Sequence, residues 1–331
     1  MNGTSVATEP QISVVIPAFN EEGSLTPLCA RIREILVKSE QSWEVILVDD
    51  GSSDTTWQEI EEIHRTEQRI KGLRLSRNFG HQYALLAGLR NASGQAVIMM
   101  DADLQHPPEL IPPLIAAWQQ GAKVVNTLRH DPEDFSLFKK TTSRWFYRIF
   151  SYLTGVELQS GMADFRLLDR QVLQDVLQLR EEGLFLRGIV TWVGYRSVNI
   201  PFNCLPRQFG QTKYTLKKML QFAWHGISSF SLVPLRLGVL LGFMASGLSF
   251  CGILYAIYSK VIAGEAVPGW ASSLAIMSFL FGVLFIFLGI LGEYMGRILL
   301  EVRQRPRFIV SEELGLDGIR KDHELAVLKN K

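Results

Sequence analysis

Short apolar runs alternate with amphipathic stretches along residues 12 to 128 of the chain. The amphipathic stretches have the spacing of helices, and turn-forming or charged residues bound each run. Apolar runs this short are typical of strands that are buried on both faces of a parallel sheet. The alternation therefore predicts an α/β fold in which helices cover both faces of a Rossmann-like sheet. The expected strands are Ile12–Ile16, Glu44–Val48, Gly72–Leu75, Ala96–Met100 and Lys123–Thr127.

Two long stretches near the C-terminus, Leu237–Ser259 and Ala266–Gly292, carry no charged residue. A helix needs roughly 20 predominantly apolar residues to cross a bilayer. Core helices of soluble proteins seldom exceed this length, so two buried core helices are the less favoured interpretation. The sequence therefore predicts two transmembrane helices, at residues 235–260 and 266–292. Arginines lie on the outer flanks of the pair, which predicts a multi-pass protein with both termini in the cytoplasm and a short loop outside.

Large aromatic and basic residues share two further stretches, 136–154 and 214–234. Helices of this kind can lie in a membrane interface, and an ordinary helix packed on the domain is the alternative. Because the second stretch runs directly into an expected span, we predict interfacial placement. The expected organisation is a polar N-terminal tail (1–11), an α/β domain (12–213) with an interfacial helix (136–154), a juxtamembrane helix (214–234), the two spans and a cytoplasmic C-terminal tail (293–331).

Charge and cysteine usage exclude several classes of protein. The formal net charge is +1, with 34 Lys and Arg against 33 Asp and Glu, so no basic excess indicates nucleic acid as a partner. The three cysteines and six histidines are scattered and have neither the spacing of a disulfide framework nor that of a zinc site. The glycine-rich signatures of dinucleotide-binding folds and of P-loops are absent from the sequence.

Two pairs of carboxylates follow predicted strands. Asp49 and Asp50 end the second strand, and Asp101 and Asp103 follow the fourth. In open α/β sheets, ligands bind just beyond the carboxyl ends of the strands. Carboxylates accept hydrogen bonds from a base or from ribose hydroxyls. If the strand geometry persists, Asp101 and Asp103 point to one side and suit Mg²⁺ or Mn²⁺ together with substrate phosphates.

Several longer motifs surround these carboxylates. They are Ile12-Ser-Val-Val-Ile-Pro-Ala-Phe-Asn-Glu-Glu22, Val48-Asp-Asp-Gly-Ser-Ser-Asp54, Leu75-Ser-Arg-Asn-Phe-Gly80, Asp101-Ala-Asp-Leu-Gln-His-Pro-Pro-Glu109, Asp164-Phe-Arg-Leu-Leu-Asp-Arg170, Arg207-x-x-Gly-x-Thr-Lys213 and Leu291-Gly-Glu-Tyr-Met-Gly-Arg297. The set resembles family 2 glycosyltransferases, and within them the polyprenyl-phosphate glycosyltransferases. The bactoprenol (undecaprenyl-phosphate) glucosyltransferases are the more similar branch, and dolichol-phosphate mannose synthase is more distant. The resemblance covers residues 12 to 310.

The resemblance implies a GT-A fold and inversion at the anomeric carbon. Its implied contacts with the nucleotide-sugar are Pro17, Asn20, Glu22, Asp49, Asp50, Ser52, Asp101 and Gln105. Its implied ligands of Mg²⁺ or Mn²⁺ are Asp101, Asp103 and Gln105. Its implied contacts with the lipid phosphate or the diphosphate are Arg207 and Lys213. Its implied catalytic residues are Asp164, Asp103 and Arg166.

Asp164 has three interpretations. The family assigns it the role of candidate catalytic carboxylate. An acceptor phosphate has a second pKa near 6, so it is mostly ionised at pH 7 and needs little deprotonation. Asp164 therefore either acts as a base, or positions the sugar or orients Arg166, or is a structural ion-pair partner of Arg166 or Arg170.

The resemblance implies transfer of one sugar, glucose from UDP-glucose, to undecaprenyl phosphate at the cytoplasmic face of the inner membrane. By analogy it also implies a homotetramer. The alternatives for the sugar are mannose, N-acetylglucosamine, galactose and an aminoarabinose derivative. A processive polysaccharide synthase is less favoured, because Thr141 stands where the Gln-x-x-Arg-Trp motif of those enzymes has its glutamine. A catalytically inactive membrane scaffold is disfavoured by the intact Asp50, Asp101 and Asp103.

Overall fold

The computed structural model describes residues 10–130, 161–179, 186–203, 233–261 and 269–316. The strands are β1 (Ile12–Ala18), β2 (Trp43–Asp49), β3 (Ile70–Leu75), β4 (Ala96–Met99), β5 (Val124–His130), β6 (Met162–Asp169), β7 (Ser197–Asn203) and β8 (Val310–Leu314). The α-helices are α1 (Leu25–Lys38), α2 (Thr56–Thr66), α3 (His81–Asn91), α4 (Ile111–Gln119), α5 (Arg170–Gln178), α6 (Leu186–Trp192), α7 (Val233–Val261) and α8 (Trp270–Arg303). A short 3₁₀ helix, Pro108–Leu110, precedes α4.

All eight strands form one sheet in the order β7-β5-β6-β4-β1-β2-β3-β8. The central strands β4, β1, β2 and β3 are parallel, as the alternation of strands and helices predicted. The sheet is nevertheless mixed, because β6 runs antiparallel to both β4 and β5, and β8 runs antiparallel to β3. The α/β, Rossmann-like expectation is confirmed. The five expected strands do run in one direction, and the antiparallel strands, β6 and β8, lie outside the stretch 12–128 for which strands were expected.

The core lies on both faces of the central strands. Every residue of β1 and β2 is buried, which explains why these strands are mostly apolar on both faces rather than alternating. Their buried polar residues are Ser13, Glu44 and Asp49. Helix α1 buries Leu25, Leu28, Cys29, Ile32 and Leu36, the i, i+3, i+4 pattern of one helical face. Helix α3 lies close against β1 at Gly88, where a side-chain carbon would overlap Val15 and Val48. This packing fixes the loops at the carboxyl ends of the strands.

A buried carboxylate, Glu44, lies near the amino-terminal end of β2, at the opposite end of the strand from these loops. Its Oε1 accepts hydrogen bonds from the Ser13 hydroxyl (2.5 Å) and from the backbone N–H of Ser93 (2.7 Å), and its Oε2 lies 2.7 Å from Lys71 Nζ. Burial acts to raise the pKa of Glu44, but the hydrogen bonds and the charge of Lys71 outweigh it and lower the pKa below its ordinary value. The cluster joins β1, β2, β3 and the turn before β4.

Replacing Glu44 with Ala is expected to destabilise the protein by about 3 kcal/mol, because Lys71 and the two serines lose their acceptor. The folded-state pKa is the lower one, so this contribution is fully present above the unfolded-state pKa of about 4.3 and is lost as the pH falls through the folded-state value. Urea unfolding of both proteins at pH 7 and at pH 3 measures the difference. Glu62→Ala, which removes one member of an exposed ion pair on α2, is the control. A loss that is the same at both pH values would contradict the account.

The two long helices, α7 and α8, form a unit of their own. Gly238 of α7 faces Phe287 of α8 so closely that a side chain there would overlap the ring. Among the described residues, one helical segment, Phe279–Arg303, is long and apolar enough to cross a membrane, and the apolar segment of α7, Gly238–Gly252, is shorter. By length and composition, only the second of the two expected spans is therefore matched, and it lies further toward the C-terminus than residues 266–292.

The expected C-terminal tail, residues 293–331, is partly folded. Helix α8 continues to Arg303, and β8 then adds an antiparallel strand to the edge of the sheet beside β3. Leu316, just after β8, is buried. The sequence suggested a tail because an edge strand with one solvated face needs few apolar residues. The expected interfacial helix, 136–154, and the juxtamembrane helix, 214–234, lie almost wholly outside the described residues.

Candidate active site

Two loops at the carboxyl ends of β1 and β2 are fastened to each other. The backbone N–H of Asn20 donates to the Ser52 hydroxyl (3.0 Å), and the Asn20 side chain accepts from the N–H of Ser53 (3.0 Å). Asn20 has a positive φ of 55°, a conformation that asparagine adopts more readily than most residues. Glu22 donates its N–H to Asp54, and Pro17 lies buried in β1 opposite Val48. The residues expected to hold the nucleotide are thus brought together.

Asp49 and Asp50 are both buried and have different partners. Asp49 Oδ1 accepts the N–H of Ser52 (2.9 Å). The two oxygens of Asp50 accept the backbone N–H groups of Phe79 (2.8 Å) and Gly80 (2.9 Å), which hold the loop before α3. Burial raises the pKa of Asp50, the charge of Asp49 adds to the rise, and the two N–H groups offset it in part. Each carboxylate therefore holds a loop in place, whether or not it also contacts a ligand.

The chain turns sharply after β4. The strand ends at Met99, and Leu104 has a positive φ of 58°. The expectation that strand geometry persists through Asp101 and Asp103 is therefore wrong. Asp103 Oδ1 accepts the N–H of Gln105 (3.1 Å), so both residues lie in one compact loop.

Asp101 lies between two histidines. Its Oδ1 is 2.9 Å from His81 Nε2, and His106 Nδ1 accepts the backbone N–H of Asp101 (3.2 Å). His106 is buried and its ring stacks on Phe165 at 5.2 Å. Burial acts to raise the pKa of Asp101, but the hydrogen bond from His81 and the two imidazoles lower it overall. Asp101 therefore carries a carboxylate at neutral pH.

The described residues contain no group of three or more His, Cys, Asp or Glu side chains arranged to hold a metal ion. The donor chemistry nevertheless fits a hard cation, since Asp101 and Asp103 supply carboxylate oxygens from one loop. Mg²⁺ commonly binds through only one or two carboxylates and completes its shell with water and substrate phosphates. The loop thus suits a divalent ion that arrives with a diphosphate, and does not form an all-protein cage.

Asp164 lies on β6, beyond the carboxyl end of β4, and is paired with an arginine that the sequence did not single out. Arg187 of α6 donates Nε to Oδ1 (2.6 Å) and Nη2 to Oδ2 (2.8 Å). Burial acts to raise the pKa of Asp164, but the charge and hydrogen bonds of Arg187, with Arg166 and His81, lower it to about 2. The expected pairing with Arg170 is wrong, because Arg170 donates to the backbone carbonyls of Ala92 and Gly94.

Arg166 is fully buried two residues along the same strand. Its Nη2 donates to the carbonyl of Ala163 (3.0 Å), whereas its Nε and Nη1 meet no acceptor among the described residues. Burial lowers the pKa of Arg166 to about 10, so it is charged at pH 7. A buried guanidinium with two unpaired nitrogens is suited to an anionic ligand.

Two residues of this site, His81 and Arg187, were missed in the sequence. His81 directly follows the motif that ends at Gly80, and Arg187 is a charge within an otherwise apolar stretch at 184–193. His81 interacts electrostatically with both Asp101 and Asp164, which joins the two carboxylates into one charged cluster. Arg207 and Lys213 lie outside the described residues.

A family model and several known relatives agree with the sequence motifs. One solved structure is similar at lower identity. A mannosyltransferase from Pyrobaculum calidifontis, solved with GDP-Man and Mn²⁺, shares 15% identity over 90% of this chain and 87% of its own, with a TM-score of 0.45. The family model "Glycosyl transferase family 2" matches residues 13–177.

Relatives match far beyond that segment. The uncharacterized glycosyltransferase sll0501 of Synechocystis sp. (strain ATCC 27184 / PCC 6803 / Kazusa) is 41% identical over 93% of this chain and 96% of its own. The uncharacterized glycosyltransferase YkcC of Bacillus subtilis (strain 168) is 37% identical over 94% and 96%. The SfII prophage-derived bactoprenol glucosyl transferase of Shigella flexneri is 36% identical over 91% and 98%. Since less than a tenth of this chain is left unmatched, the similarity extends well beyond residue 177 and includes α7 and nearly all of α8.

Proposed function

Because the chain belongs to glycosyl transferase family 2, we propose that it transfers one sugar from a nucleotide-sugar to a polyprenyl phosphate. The observation that carries the proposal is the charged cluster of Asp101, His81, Asp164 and Arg187 beside the loops that follow β1 and β2. This cluster offers carboxylates for a metal and guanidinium groups for phosphate at the carboxyl ends of the central strands. The likeness to bactoprenol glucosyl transferases supports glucose from UDP-glucose and undecaprenyl phosphate as substrates.

On the donor side, the loops after β1 and β2 would hold the base and ribose through Pro17, Asn20, Glu22, Asp49, Asp50 and Ser52. The loop after β4 would hold Mg²⁺ or Mn²⁺ and the diphosphate through Asp101, Asp103 and Gln105. When bound, the cation would neutralise the charge that builds on the departing nucleotide.

On the acceptor side, the phosphate of the lipid is already a nucleophile at pH 7. We therefore assign Asp164 to positioning: its carboxylate fixes Arg187, and it lies next to the unpaired N–H groups of Arg166. A carboxylate with a pKa of about 2 is a poor general base, because catalysis is best when the pKa lies near the working pH. Attack from the face opposite the leaving nucleotide would invert the anomeric carbon. Arg207 and Lys213 would bind the lipid phosphate near the membrane.

We also propose that α7 and α8 cross the bilayer as a pair. Strands β1–β7 precede the two helices and β8 follows them, yet all eight strands share one sheet. The chain between must therefore cross the membrane an even number of times. With α8 as one span, α7 would be the second, and both termini would then lie on the same side of the membrane as the catalytic domain. We assign that side to the cytoplasmic face of the inner membrane. A homotetramer remains a proposal by analogy.

The topology predicts that residues 262–268 face the outside of the cell. The test starts from a protein that lacks Cys29, Cys204 and Cys251. A single cysteine then replaces Ala263 or, as the cytoplasmic control, Glu62. In intact spheroplasts, a membrane-impermeant maleimide is expected to label position 263 and not position 62. Permeabilised cells are expected to show both labelled. Labelling of position 263 only after permeabilisation would contradict the two-span arrangement.

The reaction is tested with a panel of radiolabelled nucleotide-sugars, the purified protein, polyprenyl phosphate and Mg²⁺ or Mn²⁺. We expect one donor, UDP-glucose, to give a product that extracts into organic solvent and carries a single sugar. If a different nucleotide-sugar is the one used, the identity of the sugar changes, but the proposed reaction class stands. Long polymer would support a processive synthase instead. No turnover with any donor would overturn the proposal.

A further inference from the structure

Three charged residues lie side by side across three neighbouring strands at the edge of the sheet. Asp49 of β2 is opposite Arg74 of β3, and Arg74 is opposite Glu312 of β8. Arg74 Nε lies 3.3 Å from Asp49 Oδ2, and Arg74 Nη1 donates to Glu312 Oε1 at 2.7 Å. One guanidinium therefore joins a buried carboxylate to a carboxylate of the last strand.

The buried carboxylate of Asp49 has the Arg74 guanidinium as its positively charged neighbour. The side chain of Asp49 is 0% exposed, and its Oδ2 accepts no hydrogen bond from any part of the chain that the structure describes. A buried carboxylate without a nearby positive charge is costly. The other oxygen, Oδ1, holds the N–H of Ser52, whose hydroxyl in turn accepts the N–H of Asn20. The position of Arg74 thus bears on the whole pair of loops expected to hold the nucleotide.

Glu312 fixes Arg74 from the other side. Its second oxygen, Oε2, accepts the indole N–H of Trp57 at 3.2 Å, and the ring of that tryptophan lies 5.7 Å from the Arg74 guanidinium. Trp57 is 3% exposed on α2, the helix that follows the second loop. Both oxygens of Glu312 therefore have a partner, one on β3 and one on α2.

We propose that Glu312 is a positioning residue for the nucleotide-sugar, acting through Arg74 on Asp49 and the loop at Ser52. Glu312 lies outside the segment 13–177 that the family model covers, and it follows the long helix α8 in sequence. The last strand therefore completes the donor side of the site as well as the sheet. This inference rests on the proposed function, because it requires the loops after β1 and β2 to bind a nucleotide.

The test uses the full-length protein in detergent and measures the Kd of UDP with Mg²⁺, together with KM for the donor and kcat. Glu312→Gln keeps the size of the side chain and an acceptor for Trp57, and it removes the charge that faces Arg74. We expect the UDP Kd and the donor KM to rise about fivefold, as for the loss of a partly exposed ion pair, with kcat unchanged. Glu62→Gln, in an exposed ion pair on α2, is the matched control and should leave both constants unchanged.

A second pair of variants separates positioning from general loss of structure. In an Arg74→Lys background, a single ammonium group cannot bridge Asp49 and Glu312 as the guanidinium does. Adding Glu312→Gln should then change the UDP Kd less than twofold, because the connection from Glu312 to Asp49 is already lost. A UDP Kd that is unchanged in Glu312→Gln, or an equal fivefold rise in the Arg74→Lys background, would overturn the proposal. A lower melting temperature with an unchanged Kd would show a structural role only and would also overturn it. Failure of the wild-type protein to bind any nucleoside diphosphate would instead overturn the proposed function.

Discussion

Asp164→Asn is expected to lower kcat by about a hundredfold and to leave the shape of the pH–rate profile unchanged. The substitution removes one of the two acceptor oxygens that hold Arg187, so the group that we propose to lie beside the acceptor phosphate shifts. The profile should stay the same because a carboxylate with a pKa of about 2 is ionised throughout the working range in the wild-type protein. The acid limb should follow the second ionisation of the lipid phosphate, near pH 6, in both proteins.

The measurement is kcat between pH 5 and pH 9 at saturating donor and lipid. Arg187→Lys keeps the charge but loses the bidentate geometry, so it should reproduce the fall in kcat. Asp169→Asn is the matched control on the same strand, since Asp169 accepts from Trp118 and Lys123 away from the cluster. It should lower stability and leave kcat near the wild-type value. Loss of the acid limb in Asp164→Asn alone would show that this residue acts as the base.

Replacing both Asp101 and Asp103 with Asn is expected to lower turnover by about a thousandfold. A unit charge pair at 4 Å is worth about 4 kcal/mol at an effective dielectric constant of 20, and each 1.36 kcal/mol is a factor of ten in rate. The double variant loses the carboxylates that would hold the divalent ion against the diphosphate. The same loss should follow when excess chelator is added to the wild-type protein.

Turnover is measured across a titration of Mg²⁺ and of Mn²⁺, and binding of Mn²⁺ in the presence of UDP is followed separately by electron paramagnetic resonance. The wild-type protein should bind Mn²⁺ with UDP present, and the double variant should not. Glu109→Gln, just beyond the loop and paired with Arg31 on the surface, is the control and should behave as wild type. Full turnover in excess chelator would rule out the metal.

The sequence predicted the central sheet well because each of its strands is a short apolar run that can be recognised from neighbouring residues alone. The strands β1 and β2 are buried and mostly apolar, and the end of β2 carries Asp49 and Asp50, where a parallel sheet would place a ligand. The direction of β6 was not predictable in this way. Its apolar content is the same whether it pairs parallel or antiparallel with β4, so the pattern does not indicate its direction.

The contacts of the site were predicted less well than its residues. Asp101 and Asp164 were both identified, but the partners that set their ionisation, His81 and Arg187, are 20 and 23 residues away. A lone histidine or arginine carries no periodic signal, so only the folded chain shows which carboxylate it faces. Glu312 is the extreme case: 263 residues separate it from Asp49, and the short, half-exposed strand that carries it resembles a tail.

The position of β8 at the edge of the sheet also sets an order of events during synthesis. The ribosome makes the partner of β3 only after both long helices have emerged, so the N–H and C=O groups along that edge stay unpaired in the meantime. Unpaired edges recruit other chains, which makes this interval the time when the nascent protein is most prone to aggregate. A stop codon just after α8 would make that temporary exposure permanent.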